Sequence, residues 1–379
     1  MKEINTNTII IGAGAAGLAC AVCLKRQGIP FILLDQNEEI GKEWMQRYDR
    51  LHLHTPGIHS GLPYFKIPAG FPKYISKDEF ANYLKQYADA FQVKPFFNHT
   101  VTSVQREKNK WEVLTDSNTF YSDHVIIATG YARKPIQSSF DGIENFKGET
   151  IHSAQYKNGE RYKNKKVLVV GFGNSACEIA ICLHEHHSTP SMSVRNGVNI
   201  LPREIAGIST VSLAIAQQWI TKISARLTDL INKPILLLLN GDIEKLGLQK
   251  LPYGPMEQVV RHKKIPLLDI GTLKLIKKGE IKIYPGIHSI TSEGVEFTNG
   301  IKDNFDAIIF ATGYQPGIGD FLKDYQEISD ADQFPNSNGP ANRFSNLYFC
   351  GFHVTPTGML REIGIEAKRI VNAISKRSI

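Results

Sequence analysis

The sequence predicts an α/β fold made of two Rossmann-like units, the second inserted into the first. Three observations predict it. An apolar run feeding a glycine turn and then a helical stretch occurs twice. The copies are Thr8-Ile-Ile-Ile-Gly12-Ala-Gly14-Ala-Ala-Gly17 and Val167-Leu-Val-Val-Gly171-Phe-Gly173-Asn-Ser-Ala176. Each copy is later closed by an apolar strand ending in Ala-Thr-Gly-Tyr, at 125–131 and at 307–314. A further apolar strand at 347–351 ends in Gly351, and a helical pattern at 363–375 follows, so the tail returns to the first unit.

Local pattern justifies the elements in order. β-branched residues before each turn favour strand, and the alanine-rich stretch after the first turn favours helix. A second apolar run ends at Asp35, about two dozen residues past Gly12, where such a unit completes its second strand. A loop-rich stretch at 44–74 precedes a helix at 77–91, short strands at 101–105 and 111–115, and the strand at 125–128. The first unit is therefore expected at 1–160 and 315–379. The second, at 161–314, repeats strand, turn, helix and strand, and carries a helical insertion at about 205–248. Short strands at 281–284 and 295–297 lead into its closing strand at 307–311.

Two such units imply two dinucleotides that meet. The glycines bare each turn so that a pyrophosphate can rest on N–H groups at a helix N-terminus. The residue ending the second strand tells which nucleotide. Asp35 would accept hydrogen bonds from both ribose hydroxyls and repel a 2'-phosphate, which fits FAD or NAD. In the second copy, Met192-Ser-Val-Arg195 puts a guanidinium there, which pairs with a 2'-phosphate and fits NADP. One glycine turn is a weak signal; two, each in register with strand, helix and discriminating residue, are specific.

Composition sets limits. The 379 residues have room for two or three domains, and 42% hydrophobic content is ordinary for a globule. A net charge of +7, with no long basic block, suits anionic cofactors and not nucleic acid. The first strand follows the N-terminus at once, so no signal or transit peptide is expected. The most apolar windows, 211–215 and 235–239, are too short to span a bilayer, so no membrane partner is expected. Five cysteines without metal-like spacing read as reduced, and a cytoplasmic protein is expected. Cys20-Ala-Val-Cys23 has the spacing of a redox pair, but it lies on the helix behind the first turn, where small apolar side chains pack. His184-Glu-His-His187 reads as a solvated helix end and not a metal site.

Between the units stands Phe146-Lys-Gly148-Glu-Thr-Ile-His152-Ser-Ala-Gln-Tyr156. It resembles the F-x-G-x-x-x-H-x-x-x-(Y/F) fingerprint of class B flavoprotein monooxygenases, with every fixed position present. The stretches 48–56, 71–74, 165–175, 194–204, 267–271 and 305–314 are similar to the YUCCA flavin monooxygenases of that class, so the likeness covers nearly the whole chain. The resemblance implies FAD and NADPH as cofactors, and molecular oxygen and a small organic molecule as partners. It implies that NADPH reduces the flavin, that NADP+ stays bound, and that a peroxyflavin passes one oxygen atom to the substrate. The resemblance leaves the acceptor open among a soft nitrogen or sulfur centre, a carbonyl giving a Baeyer–Villiger product, and a 2-oxo acid such as indole-3-pyruvate that loses its carboxyl group.

The residues this implies follow the motifs. Gly12, Gly14, Gly17 and Asp35 would hold FAD, with Gln36, Trp44 and Arg47 as further candidates and Gly351 approaching the flavin. Gly171, Gly173, Asn174, Ser175 and Arg195 would hold NADP, and Thr129 and Gly130 would lie where the units cross. Arg203 reads as a second phosphate contact or as a helix-start salt bridge. His152 and Tyr156 are expected to fix the linker between the units. Two departures stand out. Ile40-Gly-Lys-Glu43 holds one glycine where the family more often has a pair, and no asparagine follows Tyr48 near the reactive edge of the flavin. That leaves His54 or Thr55 as candidates, with His52 and His59 in the same loop, and the catalytic side chain open. Two other readings stay alive: a disulfide or ferredoxin reductase, and a non-enzymatic redox-sensing flavoprotein. The insertion reads as a pocket wall or as a subunit contact in a homo-oligomer.

Overall fold

The computed structural model describes residues 2–220, 224–336 and 344–376. The doubled sequence pattern becomes two sheets. In the first, Phe31–Leu34, Lys2–Ile11 and Asn118–Ile127 run parallel, and Lys110–Thr115 and Val101–Glu107 extend the sheet antiparallel. Asn118–Ile127 divides its free edge. Its first half pairs with Lys110–Thr115, and its second half takes Leu347–Phe349 in parallel, from Leu347 on Val125 to Phe349 on Ile127. This return of the tail completes the sheet. The helix Met359–Ser375 then packs on Ala15–Arg26, with Ala367, Ile370, Val371 and Ile374 fully buried. The third helix of this core, Lys77–Ala90, starts at a capping box: Ser76 accepts from Glu79 N–H, and Glu79 accepts from Ser76 N–H at 2.8 Å.

The second sheet is wholly parallel. Its order is Lys282–Tyr284, Thr189–Ser193, Lys166–Val170, Ala307–Phe310, Glu149–His152. The edge strand Glu149–His152 corrects the expected boundary, which falls after it at 160/161: the strand pairs with the second sheet, His152 lying opposite Phe310. Four residues with Ile151 as the one apolar member carry no strand period, so the sequence did not announce it. The insertion forms the helices Thr210–Ile220 and Ala225–Asn240, preceded by a small hairpin of Glu204–Ile205 and Ile208–Ser209. The last helix begins at Met359, earlier than the expected 363, because Gly358 at φ +95° turns the chain into it.

All five cysteines are buried and free. Cys20 and Cys23 are 0% and 3% exposed in the core between the helices Ala15–Arg26, Lys77–Ala90 and Met359–Ser375. Burial first, and then neighbouring Cys20, pushes the Cys23 thiol up to about 12, so it is no thiolate at neutral pH. Among the described residues no group of three or more His, Cys, Asp or Glu could hold a metal ion, and no helix is long and apolar enough to cross a membrane. Cys20→Ala with Cys23→Ala removes only two sulfurs from this core. The double variant should lose about 1–2 kcal/mol of stability in urea unfolding and still oxidise NADPH; loss of turnover in a folded, yellow variant would restore a redox role for the pair.

Candidate active site

The glycines of each turn do three different things. Gly12 has φ +99°, and a Cβ there would lie 2.8 Å from the Ala128 carbonyl oxygen. A Cβ on Gly17 would lie 1.8 Å from the Gly12 oxygen, so this glycine lets helix and turn touch. A Cβ on Gly14 meets no atom within 4 Å. It is bare toward open space. The second turn repeats the scheme: Gly171 at φ +126° lies against the Ala311 oxygen, Gly173 is open, and Ala176 takes the third place. Both following helices, Ala15–Arg26 and Asn174–Glu185, start without a side-chain cap, so their first N–H groups are free for an anion.

Both turns open on one cleft of about 1910 Å³. Single ligand pockets are about 300–1,000 Å³, so this one has room for two large molecules. Gly12, Gly14, Asp35, Gln36, Trp44, Arg47, Thr129, Gly130 and Gly351 line it from the first unit, and Gly171, Gly173, Asn174, Ser175 and Arg195 from the second. Gly17 lies behind the turn, at the helix contact just described. The residues present fit two dinucleotides: two cradles that a side chain would fill, two uncapped helix starts, and the buried Thr129 hydroxyl without a hydrogen-bond partner.

The discriminating residues differ in state. Asp35 accepts from Ala13 N–H at 2.6 Å and from Asn37 N–H at 2.8 Å. Burial pushes its carboxyl up, and those two N–H groups pull it back. Arg195 is exposed, and among the described residues its guanidinium has no ion pair. Its stem passes over Gly286, where a Cβ would lie 3.2 Å from Arg195 Cγ. Gly41, the lone glycine of that connection, has φ +83° and lies against Ala81, so a glycine is required there. Trp44 meets Phe80 edge-on at 4.7 Å and also lines the cleft. Gly351 has φ +86°, and its N–H donates to buried Glu366 at 2.8 Å.

The crossing of the units is built on one ring. Arg47 stacks on Tyr314 at 4.7 Å and donates to the Ala132 carbonyl at 3.0 Å, while His152 meets the same ring edge-on at 5.2 Å. Burial first, and Arg47 as a further cause, holds the His152 imidazole below its usual range. His152 does not line the cleft, and Tyr156 is 1% exposed in the second core. Arg203 also stays away from the cleft. It stacks on Tyr74 at 4.0 Å, a third outcome beside phosphate contact and salt bridge. His52, His54 and Thr55 line the cleft and His59 does not; His59 bonds Ser212 at 3.0 Å. His54 Nε2 lies 2.6 Å from Glu178 Oε1. Sequence reasoning missed Glu178, although a lone acid in the apolar stretch 176–183 was a visible signal.

Comparison with known proteins finds relatives along nearly the whole chain. The family model described as pyridine nucleotide-disulphide oxidoreductase matches residues 9–211. The probable indole-3-pyruvate monooxygenase YUCCA4 of Arabidopsis thaliana is 38% identical over 323 residues, 83% of this chain and 77% of the relative. The indole-3-pyruvate monooxygenase YUCCA4 of Oryza sativa subsp. japonica is 36% identical over 97% of this chain and 87% of its own. Among solved structures, the flavin-containing monooxygenase from Stenotrophomonas maltophilia superposes with a TM-score of 0.76 over 99% of this chain and 100% of that one; at 18% identity this is a likeness of fold.

Two outcomes follow from the open glycine and the unpaired arginine. Gly14→Val places its side chain in the cleft and nowhere else, so the variant should fold with unchanged circular dichroism yet purify colourless. A full flavin spectrum would show that the turn does not carry the flavin. Arg195→Ala should weaken NADPH binding about tenfold to a hundredfold and leave NADH nearly unchanged in steady-state kinetics; equal losses would assign Arg195 another task.

Proposed function

This chain belongs to the YUCCA-type family of flavin monooxygenases, and we propose that it is an FAD- and NADPH-dependent member acting on a 2-oxo acid of the indole-3-pyruvate kind. The observation that carries the cofactor reading is the single cleft onto which both glycine turns open, with Asp35 at one turn and an unpaired Arg195 at the other. The names of the relatives support the substrate class. Bound FAD would supply the redox chemistry, taking hydride from NADPH and handing electrons to oxygen.

The chain's own residues bind and orient. Gly14 and Gly173 admit the two pyrophosphates to the helix starts, Asp35 takes ribose hydroxyls, and Arg195 takes the 2'-phosphate. Arg47, Tyr314 and Thr129 sit where the two nucleotides would meet. The insertion offers Val211, Ala214, Ile235 and Leu236, with the amides of Gln217 and Asn232 and the Asp229 carboxylate, as a mostly apolar wall. Such a wall keeps water from the reacting centre. A disulfide reductase would need a cysteine pair at that centre. Among the described residues the cysteines lie in the cores, and none lines the cleft. A place in the cytoplasm goes with this reading.

The proposed reaction balances as 2-oxo acid, O2, NADPH and a proton giving the shortened carboxylic acid, CO2, NADP+ and water. It is tested by product mass spectrometry with ¹⁸O2 across a thioether, a tertiary amine, a ketone and indole-3-pyruvate. The expected product is indole-3-acetate carrying one labelled oxygen. Label in a sulfoxide or N-oxide alone would move the substrate class, and unlabelled products throughout would end the monooxygenase reading for this chain.

A further inference from the structure

The loop from Tyr48 to Thr55 lies in the first unit by sequence and sends Leu53 into that unit's core, yet Tyr48 and Leu51 pack into the second. Tyr48 is 4% exposed and packs in the cluster of Val167, Ala176, Ile179 and Ala180. The helix Asn174–Glu185 meets this loop twice. Glu178 and Glu185 are seven residues apart, hence on one helix face, and they pair with His54 and Arg50. The outer pair is at the surface, where ion pairs contribute little. The inner pair is enclosed: the Glu178 side chain is 2% exposed and that of His54 is 18% exposed. The Tyr48 hydroxyl lies beside the same carboxylate. A carboxylate this buried is costly without a partner, and its partners come from the other unit.

The position of the pair says what it controls. The N-terminus of the helix carries Gly173, Asn174 and Ser175 on one wall of the cleft, and the loop carries His54 and Thr55 on the other. Thr55 in turn lies against Gly358, where a Cβ would come within 2.9 Å of it. We propose that His54 and Glu178 are positioning residues, a strut that sets the nucleotide-side helix against the flavin-side loop and so governs hydride transfer between the two. This rests on the cofactor reading above. Glu178 does not line the cleft, and His54, which does, turns its Nε2 to Glu178. Hydride transfer needs those atoms about 3–3.5 Å apart, and a shift of about 1 Å costs about a hundredfold in rate.

The test is anaerobic stopped-flow reduction at saturating NADPH, set beside photoreduction, which needs no nucleotide. His54→Leu and Glu178→Leu should each slow NADPH-dependent reduction about tenfold to a hundredfold, with FAD content and photoreduction unchanged. The double variant should be no slower than either single one, because one strut is lost in all three. It leaves no orphaned buried charge, so it folds even where Glu178 alone in the core does not. Glu178→Gln keeps an acceptor for the Nε2 proton and should recover most of the rate. A double variant reduced at the wild-type rate overturns the proposal, as does photoreduction that falls in step with the NADPH reaction. A wild-type protein that photoreduces but ignores NADPH overturns the cofactor reading instead.

Discussion

Two close approaches of bare backbone organise this molecule. Gly12 lies against the Ala128 carbonyl, and Gly171 against that of Ala311, at distances where any Cβ would collide with main chain. Main chain in a sheet cannot step aside, so each contact fixes a turn at the carboxyl end of its parallel strands. The helix start, the open second glycine and the discriminating residue are then placed by chain length alone. The same contact explains the recurring Ala-Thr-Gly-Tyr. The alanine is where the turn presses, and Gly130 at φ +76° and Gly313 at φ +94° reverse the chain just beyond it. The two reversed segments meet in the short antiparallel pair of Lys134–Pro135 with Tyr314–Gln315, so the crossing of the units is a direct continuation of the glycine contacts.

At that crossing, electrostatics is arranged to avoid conflict. Tyr314 receives the Arg47 cation on its face and the His152 ring edge-on. Two cations on one ring would repel. The imidazole Nδ1 accepts from Ala154 N–H at 3.1 Å, which requires a lone pair there, and burial favours the same neutral form. One permanent charge therefore remains beside Tyr314, and it faces a cleft that would hold anionic nucleotides.

What the sequence announced and what it hid have different ranges. Glycine turns, apolar strands and the ends of the second strands are local constraints, each legible within about twenty residues. The cleft-lining residues named from those motifs all reach the cleft, while Gly17 serves the packing behind it. Long-range contacts left little trace. Glu178 meets His54 across 124 positions, and Glu149–His152 pairs with a strand whose partners begin at Ala307. Arg203 is a case of chemistry without address: a guanidinium suits phosphate, carboxylate and aromatic face alike, and only the fold could show that Tyr74 is the ring it reaches. The insertion announced its helices and an apolar surface, but not which side of it faces inward. Its inner side lines the cleft, and its outer side shows Leu230 at 66% and Leu238 at 85% exposure.

The segment 46–76 shows how little regular structure is needed to hold a site. Its backbone is bonded at intervals, within itself from Leu53 N–H to Ile75 and Gly57 N–H to Lys73, and outward from Asp49 N–H to Lys157 and from Lys77 N–H to Leu51. Loops normally leave such groups to water, and here they are spent on fixing the path. Side chains then brace three walls from it. His54 reaches the nucleotide-side helix, Thr55 rests on Gly358 before the last helix, and Tyr74 and Lys73 hold Glu204 at the base of the insertion at 2.7 and 2.6 Å. The seat of each nucleotide would depend on its glycine turn and their spacing on the His54–Glu178 pair, whereas the apolar wall depends on side chains that this loop merely tethers. Substitutions in the insertion can therefore reshape what the cleft accepts without disturbing where the two nucleotides lie.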